Sequence, residues 1–296
     1  MHGRALKHGL LYAVLGVVAL VYILPLIWMF CLSLKPNREV MAYPPKFFPQ
    51  EPTVRPYEYV LSSERETAAT PGAVDAERAA GGGFQYLLYA RNTLIIAGLS
   101  LIGVLLSSSI AAYGFARIAF PGRNLMFALC LATMMIPFPV IMVPTYMLFQ
   151  HLGWIGTFKP LWVPAWFGSA FNIFLLRQFF LGIPKELEES ALLDGCSRWG
   201  CFWRIFLPLS KPALAVVALF HILAVWNDLV GPLIYLSHQH QFTLALGLQF
   251  LMSKSGDTPW NQMMAATTLM VVPVVVLFLF AQRTFIRGIA TTGLKG

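Results

Sequence analysis

Six apolar stretches of roughly 20 residues constrain the fold of this chain more than any other feature, because roughly 20 apolar residues in a helix cross a bilayer core. They cover residues 9–32, 93–116, 124–148, 161–180, 212–236 and 264–285. The chain is 57% hydrophobic and only 11% charged, whereas globular domains carry about 25% charged residues. A water-soluble enzyme and a disulfide scaffold are excluded. We predict an all-α, polytopic membrane protein with six transmembrane helices.

Basic residues are unevenly distributed over the loops between these stretches. Twelve Lys and Arg residues lie on the side that holds the N-terminus, and the short loops opposite hold only Lys159 and Lys254. The positive-inside rule gives most weight to short loops. We therefore predict a multi-pass protein of the cytoplasmic (inner) cell membrane, with residues 1–8 and the 286–296 tail in the cytoplasm. The net charge of +8 follows from this topology, and no contiguous basic face for nucleic acid is visible.

The 33–92 segment is predicted to be an external loop with two parts. Residues 36–61 combine six prolines with several aromatic residues, which indicates an ordered but irregular segment. Residues 62–83 are small and polar and end in three glycines. Because they have little apolar surface to bury, we predict that they form a flexible insertion.

Small residues and prolines within the apolar stretches affect how the helices pack and where they bend. Gly103, Ser107 and Ala111 recur every four residues, and such faces let membrane helices approach closely. We interpret this face as a packing surface. The 124–148 stretch contains three prolines, and membrane helices tolerate these where they are buried in protein or line a water-filled cavity. A structural kink and a pathway lining are both consistent with Pro137, Pro139 and Pro144.

Polar side chains at membrane depth are the candidates for a substrate pathway. We assign this role to Asn172, Asn227 and Asp228, and His221 is a further ionisable group in the same region. Ionisable groups are costly in a membrane and usually face the interior of the helix bundle. Asp228 is the strongest candidate, and its position near the outer surface is equally consistent with a structural hydrogen-bond partner.

Residues 181–211, between the fourth and fifth stretches, are polar enough to leave the membrane, and we name them the coupling segment. Pro184 suits the first turn of a helix, Gly195 fits a helix stop, and Ser197 can cap a second helix. A short amphipathic helix suits docking into a partner's groove. The alternative is an interfacial helix on the bilayer, which four acidic residues make less favourable beside anionic lipid.

A motif with fixed spacing lies in the coupling segment. Its residues are Glu189, Ser190, Ala191, Gly195, Ile205, Leu207 and Pro208. Three residues separate the triplet from the glycine, and nine separate the glycine from the isoleucine. This resembles the EAA-x3-G-x9-I-x-L-P loop of ABC-importer permease subunits, with Ser190 in place of the second alanine. The resemblance implies that these residues couple the chain to an ATPase, with 189–195 as the coupling helix.

Other stretches resemble the carbohydrate-uptake, maltose-type branch of that family. They are residues 28–36, 92–94, 111–113, 226–228 and 282–296. The resemblance implies the type I ABC-importer permease fold, with a permease core over 93–285. It implies four kinds of partner: a second permease subunit, two nucleotide-binding ATPase subunits, an extracytoplasmic substrate-binding protein and membrane lipid. Because the branch also imports phosphorylated polyols and their diesters, the expected solute is a sugar or a sugar-like compound.

ATP chemistry is expected to belong to the ATPase partner. The sequence contains no G-x-x-x-x-G-K-[ST] loop, so we predict neither a cofactor nor an enzymatic activity for this chain. Cys196 and Cys201 form a poor zinc pattern without nearby histidines, so no metal site is predicted. The main alternative function is an ion-coupled secondary transporter, a class that tends to carry internal repeats and several buried ionisable groups. A channel and a non-transporting assembly subunit are further alternatives.

Overall fold

The computed structural model describes residues 2–61, 84–254 and 260–292, together with the side chains of 8–61, 84–253 and 260–282. These residues form helices joined by short loops, and no strand occurs among them. The predicted all-α fold is therefore confirmed. The predicted flexible insertion, 62–83, lies outside the described residues.

The chain forms two compact units. The first comprises Met1–Leu87 and Gly247–Pro273, and the second comprises Leu88–Leu246 and Val274–Gly296. The helices up to residue 151 are α1 (His2–Ser33), α2 (Asn37–Val40), α3 (Arg55–Leu61), α4 (Tyr86–Arg117), α5 (Arg123–Ala132) and α6 (Phe138–His151). Those that follow are α7 (Lys159–Trp162), α8 (Ala170–Leu181), α9 (Lys185–Leu193), α10 (Arg198–Cys201), α11 (Leu207–Leu209), α12 (Lys211–Trp226), α13 (Val230–Tyr235), α14 (Leu244–Lys254) and α15 (Trp260–Thr292).

In the first unit, the end of α1 holds residues 36–61 in place. The Lys35 side chain is almost fully buried, donates to the Lys46 carbonyl and lies 5.3 Å from the Trp28 ring centroid. The Lys35 carbonyl accepts a hydrogen bond of 3.1 Å from the Asn261 amide. Two short helices, α2 and α3, are the regular elements of this stretch. The prediction of an ordered but irregular segment is confirmed.

The described residues contain three helices that are long and apolar enough to cross a membrane on their own. They are His8–Ser33, Tyr86–Arg117 and Trp260–Gln282. Three further helix pairs meet the same criteria together but are bent, by 98°, 77° and 75°. The pairs are Arg123–Met135 with Phe138–His151, Lys159–Leu181 with Lys185–Leu193, and Arg198–Leu209 with Lys211–Trp226. By length and composition alone, up to six spans follow when each bent pair counts as one. In two of the pairs, the bend lies where an apolar helix meets the coupling segment.

The predicted 124–148 span is not one continuous helix. A 3-10 turn, Thr133–Met135, ends the first half, and α6 begins at Phe138. Pro137 has no N–H group to continue the helix, and it disfavours helical angles at the residue before it. Ile136 is accordingly extended, with φ −81° and ψ 115°. Pro137 therefore stands at a kink, whereas Pro139 and Pro144 lie within α6. The pathway lining, the other alternative, stays a prediction.

The predicted 161–180 and 212–236 spans are also interrupted. In the first, a 3-10 turn over Val163–Phe167 ends at Gly168, which has a φ of +90° that favours glycine. In the second, the helix ends at Trp226, and α13 starts a new short helix at Val230. Average hydropathy does not reveal such breaks, because the residues on either side of each break are apolar.

The small-residue face of α4 receives a tryptophan. A Cβ atom placed on Gly103 would lie 2.3 Å from Cδ1 of Trp166, so the indole occupies the space that a side chain would need. The indole N–H donates to the Leu99 carbonyl over 3.1 Å, and the Ser107 hydroxyl donates to the Ala165 carbonyl over 3.2 Å. The predicted packing surface is therefore confirmed.

Replacing Gly103 with alanine is expected to destabilise the protein by about 1–3 kcal/mol, the usual cost of overpacking. The new methyl group must displace Trp166 and break its bond to Leu99. Gly98→Ala is the matched control, because it lies on the same helix with no atom within 4 Å of the new Cβ. It should be neutral or slightly stabilising. Thermal unfolding midpoints in detergent test this, and equal midpoints for the two variants would contradict the packing argument.

Candidate functional site

The coupling segment begins with a helix that starts at a proline. α9 starts at Lys185, directly after Pro184, and Glu186 and Glu188 occupy its first turn. A proline is tolerated at the start of a helix, because the first N–H groups of a helix have no internal partner. Acidic residues in the first turn complement the helix dipole. The helix predicted for this part of the chain is confirmed.

A left-handed glycine ends α9. Gly195 has a φ of +83°, which residues with a Cβ rarely adopt, and its N–H donates to the Leu192 carbonyl over 3.1 Å. The helix stop predicted at Gly195 is confirmed. Among the described residues, no atom beyond Gly195 and its two neighbours in sequence lies within 4 Å of a Cβ placed there. The turn therefore favours glycine at this position through its left-handed φ, and not through a close contact within the described part of the chain.

A serine starts the second helix of the segment. The Ser197 hydroxyl accepts a hydrogen bond of 3.1 Å from the Gly200 N–H, so the predicted N-cap is confirmed. α10 then widens into a π-helical turn over Phe202–Phe206, where the Leu207 N–H donates to the Phe202 carbonyl. Pro208 has no N–H to donate to the carbonyl four residues before it, so the α-helical pattern is incomplete here.

The last turn of α4 meets α9 through a buried hydrogen bond. The Tyr113 hydroxyl donates to Oε1 of Glu188 over 2.9 Å and also lies 3.1 Å from the Arg198 carbonyl. Tyr113 is 3% exposed and Glu188 is 7% exposed. The Tyr113 ring packs at 5.4 Å from the Phe202 ring and at 5.0 Å from the Phe206 ring. The tyrosine thus contacts both helices of the coupling segment.

An arginine one turn further along α4 completes this contact. Arg117 donates through Nη2 to the carbonyls of Phe180, at 2.5 Å, and of Ile183. Its Nε lies 3.9 Å from Oε2 of Glu188, and its guanidinium carbon lies 4.8 Å from the Phe206 ring centroid. Since both charged side chains are at most one-tenth exposed, they neutralise each other away from water.

The spaced motif is divided between an exposed face and the core. Glu189, Ser190 and Gly195 are exposed, and Ala191 is half-buried. Ile205 and Leu207 are partly buried against the aromatic core of the coupling segment, and Pro208 is exposed.

Exposed apolar side chains stand beside the outward-facing part of the motif. Leu193 is 89% exposed, and Trp199 is 54% exposed. Large apolar side chains on an exposed face are typical of interaction sites.

The three candidate pathway residues lie in different surroundings. Asn172 is buried near the start of α8, whereas Asn227 is exposed and donates to the Leu223 carbonyl over 2.8 Å. Oδ1 of Asp228 accepts a hydrogen bond of 3.1 Å from the Gly231 N–H, in the first turn of α13. Asp228 is thus a structural hydrogen-bond partner, and its role in a substrate pathway stays a prediction. His221, the other ionisable group, is 2.8 Å from the Ser100 hydroxyl.

Comparison with known families decides what kind of protein carries this segment. Residues 84–291 match the family described as "Binding-protein-dependent transport system inner membrane component". The chain belongs to this family. The prediction of an ABC-importer permease subunit is confirmed, and the match includes α4 and the whole coupling segment.

Individual relatives of the permease carry transport names. It is 37% identical to the arabinooligosaccharides transport system permease protein AraQ of Halalkalibacterium halodurans, over 71% of this chain and 75% of the relative. It is 28% identical to the trehalose/maltose transport system permease protein MalG of Thermococcus litoralis, over the full length of both chains. It is 36% identical to the sn-glycerol-3-phosphate transport system permease protein UgpE of Yersinia enterocolitica, over 67% and 70% of the two chains.

A solved structure shares the fold of the permease. A chain of a bacterial ABC transporter involved in the import of the acidic polysaccharide alginate superposes with a TM-score of 0.78, covering 96% of this permease and 98% of that chain. Sequence identity is 19%, so the likeness concerns the fold alone.

Sequence reasoning missed the buried residues of the site. It assigned Glu189 to the coupling function, and it gave Glu188 and Arg117 no role in a contact between α4 and α9. A signal was present, because Tyr113 and Arg117 are four residues apart and therefore share one face at the end of α4. Nothing in the sequence indicates that Glu188 is their partner.

Proposed function

We propose that this permease forms half of an alternating-access path for a sugar or sugar-like solute, of the oligosaccharide or glycerol-phosphate type. The names of its relatives support this solute class, since they include transport systems for arabinooligosaccharides, trehalose/maltose and sn-glycerol-3-phosphate. The proposed partners are a second permease subunit, two nucleotide-binding ATPase subunits and an extracytoplasmic substrate-binding protein, within a lipid bilayer. The permease itself is non-catalytic, and the ATPase subunits bind the ATP.

The observation that carries this proposal is the two-sided coupling segment. One side is fastened to α4 by Tyr113, Arg117 and Glu188. The other side presents Glu189, Gly195 and exposed apolar groups to a partner. An element fixed on one side and open on the other can transmit a partner's movement into the bundle. We assign the seven motif residues to ATPase coupling, with Ile205 and Leu207 supporting the segment from inside.

Reconstitution of the complete transporter in liposomes tests this function. Uptake should require ATP together with the substrate-binding protein, and the ATPase subunits should co-purify with the permease. A proton or sodium gradient imposed without ATP should drive no uptake. Gradient-driven uptake without ATP would instead support the secondary-transporter alternative.

The orientation of the permease gives a separate prediction. With both termini cytoplasmic, the coupling segment faces the cytoplasm, and Cys196 is its half-buried thiol, whereas Cys201 is 0% exposed. A membrane-impermeant maleimide added outside intact cells should leave Cys196 unlabelled in a variant that lacks Cys31 and Cys130. The same reagent should label it in inside-out vesicles, and labelling from outside would overturn the orientation.

A further inference from the structure

The end of α4 is hydrogen-bonded to three successive parts of the chain around the coupling segment: the residues that follow α8, then α9, then the start of α10. Arg117 binds the carbonyls of Phe180 and Ile183, which end α8 and lead into the segment. Tyr113 reaches Glu188 in α9 and the first carbonyl of α10, at Arg198. These contacts lie within one compact unit of the chain.

Glu188 and its neighbour Glu189 lie on different faces of α9, one buried and the other exposed. Successive residues of an α-helix point about 100° apart, so one glutamate faces the bundle and the next faces away from it. Glu188 is 7% exposed and binds Tyr113, whereas Glu189 is exposed. The face of α9 toward a partner and its face toward α4 are thus adjacent but separate surfaces.

The aromatic surroundings make the contact stiff. The Tyr113 ring is packed against Phe202 and Phe206, both fully buried, and the Arg117 guanidinium lies over the Phe206 ring. A hydroxyl held by its ring in a close-packed core has little freedom to follow a moving acceptor. When α9 moves, the hydrogen bond from Tyr113 either breaks or moves α4 with it.

We propose that Tyr113 and Glu188 are positioning residues that make α9 and the end of α4 move as one body. This proposal rests on the proposed function, because it specifies how the movement of the ATPase enters the membrane domain. Without the hydrogen bond between Tyr113 and Glu188, α9 still docks through its exposed face. Less of its displacement then reaches α4, because only the contacts of Arg117 with Glu188 and with the Phe180 and Ile183 carbonyls remain.

The decisive measurement is the number of solute molecules imported per ATP hydrolysed by the reconstituted transporter. Tyr113→Phe should keep the ATPase bound and active but lower this ratio about ten- to a hundredfold, the effect expected for losing one buried hydrogen bond to a charged group. Glu188→Gln keeps an oxygen acceptor for the tyrosine and should lower the ratio less than Glu188→Ala. The double variant Tyr113→Phe/Glu188→Ala should be no worse than Glu188→Ala, because both changes remove one and the same bond.

Two controls separate this role from a merely structural one. Tyr86→Phe removes a hydroxyl at the other end of α4, where it donates to the Leu269 carbonyl over 2.8 Å. Glu186→Gln neutralises an exposed glutamate in the first turn of α9. Both should keep the wild-type ratio. A structural role alone would lower the amount of assembled transporter and leave the ratio of import to ATP hydrolysis unchanged.

Different experimental results would contradict the proposed function and the positioning role of Tyr113 and Glu188. If the wild-type transporter imports solute without ATP, the proposed function is wrong. If the wild type couples ATP to import and Tyr113→Phe and Glu188→Ala keep its ratio, the positioning role is wrong. Loss of ATPase binding in either variant would also contradict it, because that result would place Tyr113 and Glu188 in docking.

Discussion

Replacing Arg117 with methionine is expected to destabilise the permease by about 3–5 kcal/mol, the cost of leaving one member of a buried ion pair without its partner. The Glu188 carboxylate would lose its counter-charge at a site where its side chain is 10% exposed. The carbonyls of Phe180 and Ile183 would lose their donor as well. A loss of this size is a large fraction of the stability of most domains. The amount of permease in membranes and its thermal unfolding midpoint in detergent should both fall.

A double variant shows whether charge is the cause. Arg117→Met/Glu188→Leu removes both charges and replaces them with apolar groups, which is often neutral for buried ion pairs. It should recover part of the unfolding midpoint that Arg117→Met loses, although the two carbonyls remain without their donor. An Arg117→Met protein with a wild-type midpoint would show that the pair with Glu188 does not contribute to stability.

Gly195→Asp is expected to reduce uptake more than a hundredfold while the permease remains in the membrane. A weakening of about 3 kcal/mol in docking corresponds to this factor, and an unpaired charge at a buried contact costs several kcal/mol. The turn alone does not explain such a loss. Aspartate tolerates the left-handed conformation better than most residues, and within this chain the space beside Gly195 is open. We therefore expect the effect to arise at the proposed contact with the ATPase.

Gly195→Asn is the matched control for this substitution. It has nearly the same shape and backbone preference without the charge, so it should retain substantially more uptake. Glu189→Ala should also have a smaller effect than Gly195→Asp, because it removes a charge without adding a side chain to the contact. ATP-dependent uptake and co-purification of the ATPase are measured, each normalised to permease in the membrane. Wild-type uptake by Gly195→Asp would refute the coupling assignment.

The sequence predicted the helical spans because their apolar character is local. It could not predict where three of them break, since the residues on both sides of each break are apolar. At Pro137 the sequence indicated a special feature, but only the geometry shows that the helix breaks there. Gly168 gave no such indication, because glycines are common in membrane helices.

In the coupling segment too, the sequence predicted features that depend on nearby residues and missed a contact between distant ones. The turn at Gly195 and the cap at Ser197 depend on residues a few positions away, so the sequence predicted both. The burial of Glu188 depends on Tyr113, which is 75 positions earlier in the chain. In a single sequence, Glu188 and Glu189 are equivalent members of an acidic run. The chemistry of the exposed half was therefore predicted, and the internal contact was not.

The 75 positions between Tyr113 and Glu188 also have a consequence for the synthesis of the chain. At about 5–20 residues per second, a ribosome needs roughly 4–15 s to synthesise the 75 residues between Tyr113 and Glu188. During this interval the Arg117 guanidinium has no carboxylate partner, and two further apolar stretches must enter the bilayer. Nascent chains that stall before residue 188 should therefore expose the end of α4 to quality-control proteases. A membrane-integrated chaperone that shields this cationic helix end would act within that interval.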